Sequence, residues 1–159
     1  MKKMYLFLVQ TLVILSLAFA VGCSEDDDNG SSVSDPEGTI MFTMTNSGVG
    51  YINEGRYGAA VTFVPRGWNA IELLMLDNNN FYGWLCTIAN VGKVKGLGAI
   101  TKIPSSGFVK QTSVEKGYGY VIFIKENGLY ARLYVTDWVL STSGGIIGAK
   151  VKYQYPFEP

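Results

Sequence analysis

Tyr118-Gly119-Tyr120-Val121-Ile122-Phe123-Ile124-Lys125-Glu126-Asn127-Gly128-Leu129-Tyr130-Ala131-Arg132-Leu133-Tyr134-Val135 is the stretch whose reading decides the fold. Two runs rich in β-branched and aromatic residues flank Asn127-Gly128. That pair tolerates the positive φ angles of a type I′ turn, whose twist suits a two-residue hairpin. Such a loop predicts that Glu126 faces Leu129, Ile124 faces Ala131, Ile122 faces Leu133 and Tyr120 faces Val135. Beyond the turn this face is wholly apolar and belongs in a core. The other face sets Lys125 against Tyr130, Phe123 against Arg132 and Val121 against Tyr134. Phe123 and Arg132 are then a candidate cation–π pair. A slip of one residue would exchange the two faces.

On either side of the hairpin, apolar alternation recurs between breaks marked by Gly, Asn and Pro. No window sustains an i, i+3, i+4, i+7 apolar repeat. The pattern predicts strands over Thr39–Thr45, Gly58–Val64, Ala70–Leu76, Gly83–Ala89, Tyr118–Lys125, Leu129–Leu140 and Ile147–Tyr155. Shorter pieces are expected within Val91–Ile100 and Phe108–Val114. Short strands at this spacing predict one all-β domain, an antiparallel β-sandwich or a partly open barrel. In the last strand Ala149, Val151, Tyr153 and Tyr155 alternate with Lys150, Lys152 and Gln154. Two lysines projecting from one side predict an edge position, where they would discourage association.

The formal charge of zero, 13 Lys+Arg against 13 Asp+Glu, is a sum over unlike parts. Lys2 and Lys3 precede an apolar run from Met4 to about Val21, the form of a secretory signal. Ala18-Phe19-Ala20 is a site for ordinary signal peptidase, whereas Ala20-Val21-Gly22-Cys23 resembles a lipobox that makes Cys23 the lipidated first residue. The acidic Ser24-Glu25-Asp26-Asp27-Asp28 and the Gly/Ser-rich Asn29 to Gly38 favour the second. The chain therefore divides into a lipoprotein signal peptide over 1–22, a lipidated acidic flexible tether over 23–38 and a globular domain over 39–159. So polar a tail cannot offset its ordering entropy, and Ser24 to Gly38 would span roughly 20 Å r.m.s.. The domain keeps eleven basic residues (thirteen minus Lys2 and Lys3) against Glu54, Glu72, Asp77, Glu115, Glu126, Asp137 and Glu158, a formal charge of +4.

A Cys followed by an acidic run and a Gly/Ser-rich tether resembles the surface lipoproteins of Bacteroides-type bacteria, where such acids act as an outward export signal. The resemblance extends into the domain. It covers Asp35-Pro36-Glu37-Gly38-Thr39, Gly92-Lys93-Val94-Lys95-Gly96-Leu97-Gly98, Gly117-Tyr118-Gly119-Tyr120-Val121, Tyr130 to Val135 and Gly144 to Phe157. These stretches together resemble a family of small Bacteroides-type lipoproteins carrying a β-rich domain of unknown function. The resemblance implies attachment to the outer membrane through lipid on Cys23, at the cell surface or on the periplasmic face. It implies no activity.

The chemistry is sparse. With His 0, Ser-His-Asp and Cys-His catalysis, His-ligated zinc and a His pH switch are excluded. Gly92 to Gly98 has neither the P-loop spacing nor the third glycine of the dinucleotide fingerprint. A near-neutral chain is a poor nucleic-acid binder. Cys86, in an apolar run, reads as a buried structural thiol. Glu54 reads as a turn residue and Asp137 as a strand-rim residue, and no carboxylate pair stands in a glycosidase motif. Neither catalysis nor a cofactor is expected.

Two surface features remain. Lys93, Lys95, Lys102, Lys110 and Lys116 against Glu115 give residues 92–116 a net +4, which reads as solvated lysines on several turns. Asn79, Asn80, Phe81, Tyr82 and Trp84 run from an Asn-rich turn into three aromatics, and Trp68, Tyr51 and Tyr57 lie in loop-like sequence. Amides that bond hydroxyls beside rings that stack on pyranose faces are what a glycan site needs. The expected function is noncatalytic binding of a glycan or another surface ligand. The alternative is an accessory subunit that packs on another envelope protein through an exposed strand or aromatic sheet face.

Overall fold

The alternating runs form strands in the computed structural model, which describes residues 33–46, 50–52, 55–65 and 70–159. Cys23, the signal peptide, the acidic run, Glu54 and Trp68 lie outside the described residues. The strands are β1 (Ile40–Thr45), β2 (Gly50–Ile52), β3 (Gly55–Tyr57), β4 (Val61–Val64), β5 (Ile71–Met75) and β6 (Asn80–Trp84). There follow β7 (Thr87–Lys93), β8 (Gln111–Ser113), β9 (Tyr118–Ile124), β10 (Leu129–Leu140) and β11 (Ile146–Gln154). One sheet has the order β1-β11-β10-β9-β7, a second β4-β5-β6-β8, and β2 pairs with β3. Every pairing is antiparallel.

Period-2 alternation gives each sheet one apolar face, and the two apolar faces meet. Ile88, Tyr120, Ile122, Ile124, Ala131, Leu133, Val135, Ala149 and Val151 of the five-stranded sheet share one buried cluster with Val61, Phe63, Ile71, Leu73, Met75 and Phe81 of the four-stranded sheet. The fold is thus an all-β antiparallel sandwich in a single domain, not closed into a barrel. A smaller cluster of Leu97, Ile100, Val121 and Phe157 covers the outer side of the five-stranded sheet. Arg132 pins it down. Its Nη1 donates to the Ile100 carbonyl at 2.7 Å, its Nε donates to Gln154 Oε1 at 2.8 Å, and its guanidinium lies 4.6 Å from the Phe157 ring centre.

The central hairpin forms with a longer loop than the Asn-Gly pair suggests. Leu129 faces Ile124, Ala131 faces Ile122 and Leu133 faces Tyr120. Residues 125–128 form the loop, Gly128 alone in it takes a positive φ of 71°, and its N–H donates to Ile124 O at 3.0 Å. Asn127 uses its side chain instead, accepting from Leu129 N–H at 3.1 Å. A type I′ turn needs both central residues at positive φ, and Asn127 does not supply one. The register differs from the expected one by two residues, so each side chain keeps its face and the apolar face is the core. The Phe123–Arg132 pair is not formed. Phe123 lies opposite Tyr130 with ring centres 5.0 Å apart, and Arg132 stacks on Phe157.

Three further expectations are corrected. Gly83–Ala89 is not one strand, because the chain leaves the four-stranded sheet at Trp84 and enters the five-stranded sheet at Thr87. At this corner a Cβ on Gly83 would lie within 2.4 Å of Cys86 O, so only glycine admits the fold-back. Next, β11 is an interior strand between β1 and β10, and the edge belongs to the uncharged β1. Its lysines project onto the wet outer face, where Lys152 Nζ meets Asp35 Oδ2 at 2.6 Å.

Finally, the flexible tether does not reach Gly38. Val33 to Gly38 belong to the same compact unit as the sheets. Gln154 Nε2 donates to Glu37 O at 2.8 Å, and Thr39 Oγ1 donates to Pro36 O at 2.7 Å. The Ser34 carbonyl lies within 2.4 Å of where a Cβ on Gly98 would stand. Backbone bonding and an ion pair outweigh the polar composition of this short stretch.

Candidate functional site

Along β6 the side chains alternate between the two faces of the four-stranded sheet. Phe81 points inward, fully buried, and meets Tyr120 edge-on at 5.0 Å and 84°. Tyr82 and Trp84 point outward. Tyr82 is nonetheless buried, packed with Leu74, Leu76, Tyr57 and Ala60. Trp84 is 36% exposed. Phe81 and Trp84 therefore serve opposite surfaces, and Phe81 offers no face to a ligand.

The outer face carries two rows of interest. In one, Thr62 of β4 lies opposite Glu72 of β5, which lies opposite Trp84. Thr62 Oγ1 donates to Glu72 Oε1 at 2.8 Å, which fixes one oxygen of the carboxylate. In the next row Leu74, Tyr82 and Gln111 are neighbours. Lys110 holds its Nζ 4.7 Å from the Tyr82 ring centre, a cation–π contact, and its carbonyl accepts from Gly83 N–H at 2.9 Å. A flat ring, a carboxylate acceptor, a hydroxyl and an ammonium donor thus share one sheet face.

Leu85 follows Trp84 at the corner. Its φ is 60° and it is 54% exposed. The left-handed region costs a residue with a Cβ roughly 1–2 kcal/mol, and an exposed leucine recovers none of that by burial.

The asparagines serve the turn before β6. Asn79 also has a positive φ, 58°. Its N–H donates to Leu76 O at 3.0 Å and its carbonyl accepts from Val114 N–H at 3.1 Å. Its Oδ1 is buried without a partner among the described residues. Asn80 lies opposite Ser113 and its Nδ2 reaches Asn78 O at 3.4 Å. Of the residues singled out in the sequence, Trp84 and Asn80 reach the outer face, Tyr82 supports Lys110, Phe81 belongs to the core and Asn79 shapes the turn. Thr62, Glu72 and Leu85 escaped the sequence reading. Alternation of Ile71, Leu73 and Met75 with Glu72 was the available signal for Glu72.

Elsewhere, Val91, Val94, Ala99, Ile100, Thr101, Lys102 and Pro104 line a shallow groove of about 290 Å³ with no aromatic wall. The basic residues of 92–116 do not converge. Lys116 pairs with Asp137 at 2.8 Å, Lys110 sits on Tyr82, and Lys93 and Lys95 are exposed. Hydrogen bonds from Lys116 and then from Trp138 N–H hold the Asp137 carboxyl below the usual carboxylate range. Burial pushes the Cys86 thiol up to about 12, and its Sγ donates to Glu72 O at 3.3 Å, so it is a poor nucleophile.

Fold and site together define an antiparallel β-sandwich with a polar and aromatic face on its smaller sheet. No family model matches the chain, and searches of curated proteins and of solved structures return no similar protein.

Proposed function

We propose that this chain is a lipid-anchored, noncatalytic binding module of the bacterial outer membrane that takes a glycan on the outer face of its four-stranded sheet. The carrying observation is the row Thr62, Glu72, Trp84, in which an exposed indole lies beside a carboxylate oriented by a hydroxyl. The indole stacks on the apolar face of a pyranose, Glu72 accepts from ring hydroxyls, and Lys110 and Gln111 extend the polar contacts. The anchor is Cys23, and Cys23→Ala releases the protein from membranes. A glycan array probed with the parent and with Trp84→Ala tests the site. The substitution weakens binding at least tenfold, about 1.4 kcal/mol, with an unchanged melting temperature.

A second reading has its own observation. Leu85, strained and exposed beside Trp84, is the anchor expected of a protein interface. In that reading the array is blank and another envelope protein co-purifies with the parent but not with Leu85→Gly.

A further inference from the structure

We infer that Val33 to Gly38 is a strap that turns the outer face of the five-stranded sheet toward the anchoring membrane and the Trp84 face away from it. The inference rests on the lipid anchor at Cys23 proposed above, and it assigns a membrane-facing surface that the glycan reading does not require.

The strap lies on one side of the sandwich only. Asp35 pairs with Lys152, and the Glu37 carbonyl accepts from Gln154. Both partners project from the outer face of β11, because Ala149, Val151 and Tyr153 alternate with them into the core side. Farther toward the N-terminus, Ser34 and Val33 run against Gly98 and Gly96, beside the short 3-10 turn at Leu97–Ala99. This turn belongs to the cluster on the same outer face. The chain therefore leaves the domain from the outer side of the five-stranded sheet, whereas Trp84, Glu72 and Thr62 occupy the outer side of the other sheet.

The length of chain that remains makes this placement matter. Between Cys23 and Val33 stand residues 24–32, which reach about 30 Å when fully extended and about 17 Å r.m.s. when flexible. Two packed sheets are separated by about 10 Å before their outer side chains are added. For the Trp84 face to meet the membrane, the tether would have to pass around the whole sandwich close to its full extension. The strap thus removes six residues of slack, 33–38, and sets the exit on the far side from the candidate site. The membrane-facing side suits lipid headgroups. Lys150 is exposed on it, Lys95 and Lys102 are exposed in the adjoining segment 92–114, which contains no acid, and Asp35 on the strap is paired with Lys152 while Glu37 is the acid left exposed there.

The test uses the full lipidated chain in phospholipid vesicles containing a headgroup quencher. A fluorophore is placed at Lys150→Cys on one outer face or at Gln111→Cys on the other. Cys86 stays unlabelled because it is buried with its thiol pushed up to about 12. The Lys150→Cys probe is expected to be quenched several-fold more than the Gln111→Cys probe. Gly98→Ala, which displaces Ser34, and Asp35→Lys, which repels Lys152, should each bring the two signals together. The second variant alters only an exposed side chain and guards against misfolding of the first. Equal quenching in the unmodified strap, or a difference that survives both variants, overturns the orientation. Failure of the anchor is read separately: protein that does not float with the vesicles removes the anchor and the orientation with it, while glycan binding in solution would stand.

Discussion

The Tyr120 hydroxyl donates to Ser113 O and accepts from Glu115 N–H, both at 2.9 Å, and ties the end of β8 to the heart of β9. Burial pushes this phenol well above its ordinary range. Tyr120→Phe leaves both backbone groups without that partner and should cost about 1–3 kcal/mol, read by urea unfolding. Cys86 supplies a pH signature. Its folded value of about 12 stands above its ordinary 9.0, so its contribution is fully present below pH 9. As pH rises past 9 the unfolded chain loses its proton first, and the contribution drains away toward pH 12. Cys86→Ala should therefore lose stability with alkali less steeply than the parent, by up to about 1.4 kcal/mol per pH unit. Unfolding curves at pH 8, 9.5 and 10.5 check the slope.

Two hairpin turns solve the same problem with different residues. Each has one residue at positive φ before the returning strand, Gly128 at 71° and Asn79 at 58°. A Cβ on Gly128 meets no atom within 4 Å. Gly128→Ala should cost about 1–2 kcal/mol through backbone strain alone. Asn79→Gly relieves strain and removes the buried, unpartnered Oδ1, so it should raise the melting temperature. Alternation made the strands legible in the sequence, and even the wrong loop length kept the core face right because the error was an even number of residues. The corner at Leu85 was not legible. Its residues read as strand, and the fold-back depends on Gly83 fitting against Cys86 O, a contact no periodicity reports. The interior position of β11 was hidden for a similar reason, since Asp35, the partner of Lys152, lies in the stretch assigned to the tether.

At the scale of the whole sandwich, the β1 edge is largely open. β1 carries no charge, Met41 is 75% exposed, and the outer side of the strand is bonded at Thr45, to Gly58 and Ala59, with no strand among the described residues paired along the rest. Such an edge invites strand-to-strand association. Met41→Lys should reduce concentration-dependent light scattering without shifting the melting temperature. The candidate site was half readable at this scale. Trp84 and Asn80 lie in one short stretch, but Thr62 and Glu72 join them only when β4, β5 and β6 align. In the interface reading, Leu85 sets stability and binding against each other. A chain selected for thermostability alone would hold glycine or asparagine at this corner, so a screen for heat resistance should discard the leucine early. Leu85→Gly is expected to melt a few degrees higher than the parent and, in the interface reading, to lose its envelope partner. On that reading, hardening this protein would blunt it.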